Sequence, residues 1–552
     1  MRFAGGYQTG IISVTDSKQI LIMPNHHYLL RNGFACLWTA ALLLSSCGKG
    51  QKKEMKEESF SDTVKIESGL ISGITTTDGR VHEFKGIPFA APPVGILRWK
   101  EPRPASTWEG IRKCDTFAAS PMQPNPLPFG VYTEEFLAPR SPLSEDCLYL
   151  NVWTAAKSAN EKRPVLVWIY GGGFLSGSGA VPVYDGESMA GKGIVFVTFN
   201  YRVGIFGFFS YPALTAESPH HASGNYGLLD QVAALQWVQK NISAFGGDPG
   251  NVTIAGQSAG SMSVNCLVAS PLANNLFRHA IAESGASMVS GTMLALGKLK
   301  ESEEEGSKFA QSVKASSLDD LRKMPDSVLV KNSWKFRTPV IDGYLIPEGI
   351  PEIFREGKQN DVPVITGWNL GDGFIMGPPK TAGAFRDQAR KQYGKEASEF
   401  LKLYPAKDDA QALASQQAFS RDNMFGIQGY AWANTQVQTG KSNIYIYYFT
   451  RKLPATPDFA KYGAFHSGEI VYALDNLPFL HRPWEPVDRD LAKLMSSYWV
   501  NFIKNGDPNG DNLPVWPAYN KQEFKAMVFG DSSEAAALPD KEALDFIMKT
   551  LK

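Results

Sequence analysis

Val252-Thr253-Ile254-Ala255-Gly256-Gln257-Ser258-Ala259-Gly260 begins as an apolar strand-like run and ends in a serine with glycine two places to either side. An apolar helical run carrying Met262, Val264 and Leu267 follows. Strand, turn and helix in that order are the setting of a nucleophile elbow, where a sharp turn lifts a serine hydroxyl above the end of a sheet. Small residues at Gly256 and Gly260 avoid a backbone clash in such a turn. The G-x-S-x-G pattern is frequent by chance, but it occurs once in these 552 residues and in the required context.

Outward from the elbow, short apolar runs alternate with longer helical patterns. Val165–Tyr170, Ile194–Phe199, Val364–Thr366 and Ile444–Phe449 are nearly continuous apolar stretches, as expected of strands covered on both faces. Leu228, Val232, Leu235, Val238 and Ile242 are spaced to share one helix face. The alternation predicts an α/β fold: a large, mostly parallel sheet with helices on both faces. The more polar stretches 287–335 and 375–440 read as helical insertions over the sheet's upper edge. No linker divides residues 63–552, which read as one catalytic domain.

Composition excludes several classes. Hydrophobic residues make up 43% and charged residues 20%, as in an ordinary globular protein. Lys+Arg and Asp+Glu both total 55, so no overall basic field exists to hold nucleic acid. The 5 Cys include no C-x-x-C zinc spacing.

The N-terminus reads as an export signal. Phe34–Leu44 is an apolar run preceded by Arg31, too short for the roughly 20 residues that span a bilayer. Leu44-Ser45-Ser46-Cys47 resembles the bacterial lipobox, in which the cysteine becomes lipidated. Residues 1–47 are therefore expected to be a signal peptide, with Met23 as an alternative start of more usual length. The charged stretch 48–62 reads as a solvated tether. The expected location is the bacterial cell envelope, exported and lipid-anchored, in an oxidising compartment.

A serine needs a base, and the base an orienting acid. In this kind of fold the chain order is serine, acid, histidine. Only His279, His466 and His481 follow Ser258. His279 lies in a run read as helical and is taken as structural, and His481, beside Arg482-Pro483, reads as surface. His466 sits in a Gly-flanked loop after the Tyr-rich strand, where such folds place chemistry. Spacing alone does not fix the acid; Asp372, between Gly371 and Gly373 after another strand, is a candidate. Tyr170-Gly171-Gly172-Gly173-Phe174 also follows a strand, and its backbone N–H groups, with that of Ala259, suit an oxyanion hole. No Walker Lys-Ser/Thr follows these glycines, which weakens a phosphate cradle.

These segments together resemble the type-B carboxylesterase family, which includes bacterial para-nitrobenzyl esterases and cholinesterases. The resemblance covers about residues 63–530. It also rests on Lys85–Ala90, Ser144-Glu145-Asp146-Cys147-Leu148-Tyr149-Leu150-Asn151-Val152, Asn200–Gly204, Gly224–Gln231, Phe245–Pro249 and Asn505–Gly510. It implies an α/β-hydrolase fold, and ester hydrolysis through Ser258, His466 and Asp372 with an acyl-enzyme intermediate. Gly172, Gly173 and Ala259 would be the oxyanion donors, and Ser284 would support the acid–base pair. It also implies a Cys114–Cys147 disulfide, no cofactor or metal, and a small ester substrate. Cys266 reads as a buried free thiol.

Three departures stand out. The family acid is usually Glu, and Asp372 is one methylene shorter, so its loop must approach the imidazole more closely. Gln257 replaces a Glu common before the nucleophile. No Trp lies between Cys114 and Cys147, where cholinesterases carry the aromatic that faces a quaternary ammonium group. The last two count against a cholinesterase. Rival readings are a lipase for long acyl chains, an esterase that frees feruloyl or acetyl groups from polysaccharides, and a non-catalytic adhesion module. The last typically lacks a triad member; here all three positions hold competent residues.

Overall fold

Strands without polar alternation need cover on both faces, and the computed structural model supplies it. It describes residues 61–375, 377–455 and 462–551. The expected signal, Met23, Cys47 and nearly all of the 48–62 tether lie outside the described residues.

An 11-stranded sheet forms the centre. In chain order its strands are β1 (Ile74–Thr75), β2 (His82–Pro88), β3 (Tyr149–Thr154), β4 (Arg163–Ile169), β5 (Val195–Phe199) and β6 (Gly247–Gln257). They continue as β7 (His279–Glu283), β8 (Val364–Asn369), β9 (Ile444–Phe449), β10 (Lys525–Phe529) and β11 (Glu534–Ala537). They lie side by side in chain order, except that β4 and β5 exchange places. From β5 to β10 every pairing is parallel, while β1–β2–β3–β5 and β10–β11 are antiparallel. All of β5 and β9 is buried, as are Val165–Ile169 of β4.

Parallel register brings successive strand ends to one edge. Gln257 of β6 pairs with Glu283 of β7, Glu283 with Gly367 of β8, and Gly367 with Tyr447 of β9. The turns after β4, β6, β7, β8 and β9 therefore open on a common rim. The stretches read as insertions are largely helical, including Leu299–Ser312 after β7 and Ala382–Tyr393, Asp409–Arg421 and Ile427–Thr439 after β8. The last two are joined by a π-helical turn at Asp422–Gly426.

Two expectations need correction. His279 opens strand β7 rather than lying in a helix, because Ala280-Ile281-Ala282 is a fully buried run paired on both sides. A short apolar run does not by itself distinguish strand from helix. Cys114 and Cys147 are both free and buried. They face different surroundings. Cys114 follows the short strand Ile111–Lys113, beside Arg112 and Asp115. Cys147 lines a narrow gap with Pro121, Met122, Glu145 and Arg202. Cys266 is a buried free thiol, as expected. Burial pushes the Cys114 thiol up to about 11 and Cys266 up to about 12.

The elbow is packed tightly into this frame. A Cβ on Gly260 would lie 2.0 Å from the Ile169 carbonyl oxygen, and one on Gly256 would lie 2.6 Å from it. Gly260→Ala is thus expected to destabilise the fold by at least the ~1–3 kcal/mol of core overpacking, read as lost soluble yield or lowered Tm. Alkylation under denaturing conditions without reductant should label Cys114 and Cys147. A disulfide-linked peptide pair would contradict the free thiols.

Candidate active site

The elbow holds Ser258 in a backbone conformation that side chains rarely adopt, with φ 58° and ψ −120°. Such geometry costs on the order of 1–3 kcal/mol and persists only where the surroundings impose it. They do so here. The Ser258 N–H donates to the Glu283 carbonyl at 2.8 Å, and its carbonyl accepts from Met262 N–H at 2.9 Å. Gly285 packs so closely that a Cβ there would meet the Ser258 carbonyl oxygen at 2.5 Å. The serine is half-buried and faces a cavity of about 760 Å³.

The loops after β8 and β9 bring Asp372 and His466 together. Gly371 forms a backbone bridge with Phe465, and its N–H donates to Ala464 O at 2.9 Å. Gly371 is needed there, because a Cβ would lie 2.5 Å from Ala464 O. Direct backbone contact makes up for the short aspartate: Asp372 Oδ1 lies 2.7 Å from His466 Nδ1. Asp372 Oδ2 accepts from Asn369 N–H at 2.8 Å, which fixes the carboxylate. Both side chains are buried. The imidazole is walled by Phe425 at 4.7 Å and Phe374 at 5.2 Å between ring centroids. Phe425 comes from the π-helical turn, a distortion often found at functional sites.

The other imidazole nitrogen, Nε2, lies 3.2 Å from the Gln257 side-chain nitrogen, whose amide oxygen accepts from Ser467 Oγ at 3.0 Å. Among the described residues Ser258 Oγ makes no hydrogen bond. In ligand-free sites such contacts are often open and tighten when substrate binds. Gly172 and Gly173 have φ of 107° and 62°, and a Cβ on Gly172 would meet Ser176 O at 2.2 Å. Neither their N–H groups nor that of Ala259 is drawn into the backbone hydrogen bonds of the surrounding turns. All three residues line the cavity with Ser258 and His466.

Ser284 is placed differently from the expectation. Its N–H donates to Gly367 O at 2.9 Å, but its buried hydroxyl bonds neither Asp372 nor His466. His481 is exposed, as expected.

Beneath the pair lie two carboxyls to which sequence reading gave no role. Glu469 accepts from the Asn369 side-chain amide, and Glu283 accepts from Trp499 Nε1 at 2.9 Å. Burial raises both carboxyls, and Glu469 is raised further by the nearby Glu283 and Asp372. Each sits close to a quoted motif residue, Glu283 before Ser284 and Glu469 three after His466. That closeness was the available signal.

Among the described residues, Glu83, Asp185 and Glu187 are the carboxylates grouped closely enough to share a cation. Glu83 is already held by Lys85 Nζ at 2.6 Å and Trp153 Nε1 at 3.2 Å. None of the three lines the Ser258 cavity.

The pattern matches known proteins. The profile of the carboxylesterase family matches residues 61–547. A fumonisin B1 esterase of Sphingopyxis macrogoltabida is 36% identical over 483 residues, covering 84% of this chain and 85% of that one. The para-nitrobenzyl esterase of Bacillus subtilis is 34% identical over 502 residues, 87% and 97% of the two chains. Liver carboxylesterase 1 of Oryctolagus cuniculus is 35% identical over 511 residues, 84% and 88% of the two chains.

A carboxyl that keeps its proton longer when folded than when unfolded stabilises fully below the unfolded value of 4.5. That contribution is lost as pH climbs through the folded value, about 8 for Glu283. Glu283→Gln copies the protonated group and keeps an acceptor for Trp499. It is expected to flatten the fall of Tm between pH 5 and 9, and a slope equal to wild type would remove Glu283 from that account.

Proposed function

Because the chain belongs to the carboxylesterase family and is a carboxylic ester hydrolase of the α/β-hydrolase fold, we propose that Ser258, His466 and Asp372 are its catalytic triad. The observation that carries this reading is the 2.7 Å contact between Asp372 and His466 Nδ1, with His466 and Ser258 lining one cavity.

Hydrolysis then runs in two halves. Ser258 Oγ attacks the ester carbonyl carbon and passes its proton to His466 Nε2, while Asp372 holds the Nδ1–H and balances the imidazolium charge. The carbonyl oxygen becomes an oxyanion against the N–H groups of Gly172, Gly173 and Ala259. Its collapse breaks the bond to the alcohol oxygen, which leaves with the proton from His466. An acyl ester on Ser258 remains. Water gives a proton to His466, attacks the same carbon, and releases the acid as the proton returns to Ser258. Gln257 shares Nε2 with this path. As a neutral amide it orients the ring without adding a negative charge beside the acyl site, where Glu would.

The cavity is large and mostly apolar, and Leu127, Phe129 and Met293 stand exposed in its lining. That rim favours a second reading as a lipase for long acyl chains. Hydrolysis of p-nitrophenyl esters from acetate to palmitate separates the two, with short chains expected to be preferred. Ser258→Ala should lose several orders of magnitude in kcat. Asp372→Asn should fold normally and lose about 10⁴ in kcat, as expected when an imidazole is held in the wrong tautomer. Near-normal turnover by Asp372→Asn would mean that another residue is the acid.

A further inference from the structure

The Ser258 cavity is lined mainly by aromatic, aliphatic and thioether side chains, with uncharged polar groups among them, and among the described residues no Asp or Glu lines it. Its one permanent charge is Arg337. The guanidinium lies against the oxyanion loop: Nη1 is 3.0 Å from where a Cβ on Gly173 would stand. Among the described residues Arg337 makes no hydrogen bond, ion pair or ring contact. Three buried arginines of this fold are, by contrast, neutralised. Arg202 meets Asp230, Arg421 meets Asp422 and Arg451 meets Asp488, each at 2.7 Å.

Nor is the segment that carries Arg337 free to swing. On one side Phe336 is buried against Phe209 and Phe309, with ring centroids at 5.0 and 5.5 Å. On the other, Val340 exchanges backbone hydrogen bonds with the Asn225 side-chain amide at 2.9 and 2.8 Å. A cation thus stands beside the oxyanion glycine on a backbone anchored at both sides, with no counter-ion among the described residues. Its planar donor fork matches a carboxylate.

We propose that Arg337 is the substrate's anion anchor. On this reading the enzyme acts on esters that carry a carboxylate a short distance from the scissile carbonyl, on the acyl or the alcohol arm. The inference rests on the Ser258 hydrolase assigned above and specifies its substrate class.

Two matched ester pairs test it with the full chain. On the acyl arm, mono-p-nitrophenyl glutarate is compared with its methyl-capped diester; on the alcohol arm, 4-acetoxybenzoate is compared with its methyl ester. Wild type is expected to favour the anionic member of at least one pair by tenfold or more in kcat/KM, and the pair that responds locates the carboxylate. Arg337→Gln should cut that ratio at least tenfold, mainly through KM, and Arg337→Lys should retain part of it. Thermal unfolding verifies that the variants fold. Raising NaCl should shrink the preference, because the guanidinium is exposed to solvent. A wild-type ratio of one or less in both pairs, or an Arg337→Gln ratio equal to wild type, overturns the proposal. Hydrolysis of none of the four esters by wild type would instead strike the Ser258 reading, and this inference with it.

Discussion

The site depends on a close backbone approach between the elbow and the strand ends beside it. Gly256 and Gly260 let the turn after β6 sit against the Ile169 carbonyl, while Gly285 closes on Ser258 from the β7 side. The elbow is wedged between its two sheet neighbours, and the unusual Ser258 backbone is held from both. Parallel register then carries the effect outward. Once β4, β6, β7, β8 and β9 are aligned, the turn glycines, the serine, the aspartate and the histidine arrive at one rim without a long-range device to gather them.

A second constraint is electrostatic. Asp372, Glu283 and Glu469 lie buried in one neighbourhood, and three carboxylates there would repel one another strongly with little water to screen them. Burial eases the conflict by raising Glu283 and Glu469, so that both hold their protons to higher pH than free carboxyls. Glu469 also touches Asn369, whose backbone N–H holds Asp372, so the buried carboxyls and the proposed triad aspartate share a scaffold. The site is assembled from a backbone contact between two loops and from buried carboxyls whose affinity for a proton is raised.

Most of the sheet and much of the site were legible in the sequence, because both are governed by local rules. Apolar runs of strand length, a glycine-framed serine and glycine-flanked polar residues after strands each reflect a constraint within a few positions. Readings that needed a partner across the fold fared differently. His279 belongs to a strand because β6 and β8 flank it, which its neighbours in sequence do not reveal. The Cys114–Cys147 bridge followed from resemblance, and the two sulfurs are surrounded by different side chains. Arg337 and Phe425 arise where the insertions after β7 and β8 fold back over the rim, and the Gln257 contact to His466 arises where the end of β6 meets the loop after β9; no periodicity marks either meeting.

Phe374 and Phe425 belong to the walls of the cavity and also enclose the imidazole. Leu127, Phe129 and Met293, exposed in the same lining, make no hydrogen bond or ring contact with Asp372 or His466 among the described residues, and substitutions there are free to reshape the pocket. These two rings have no such freedom. A smaller side chain at either one would enlarge the pocket and at the same time open His466 to water. Adaptation to bulkier substrates is therefore channelled toward the entrance loops, and the inner wall is fixed by the chemistry it shelters.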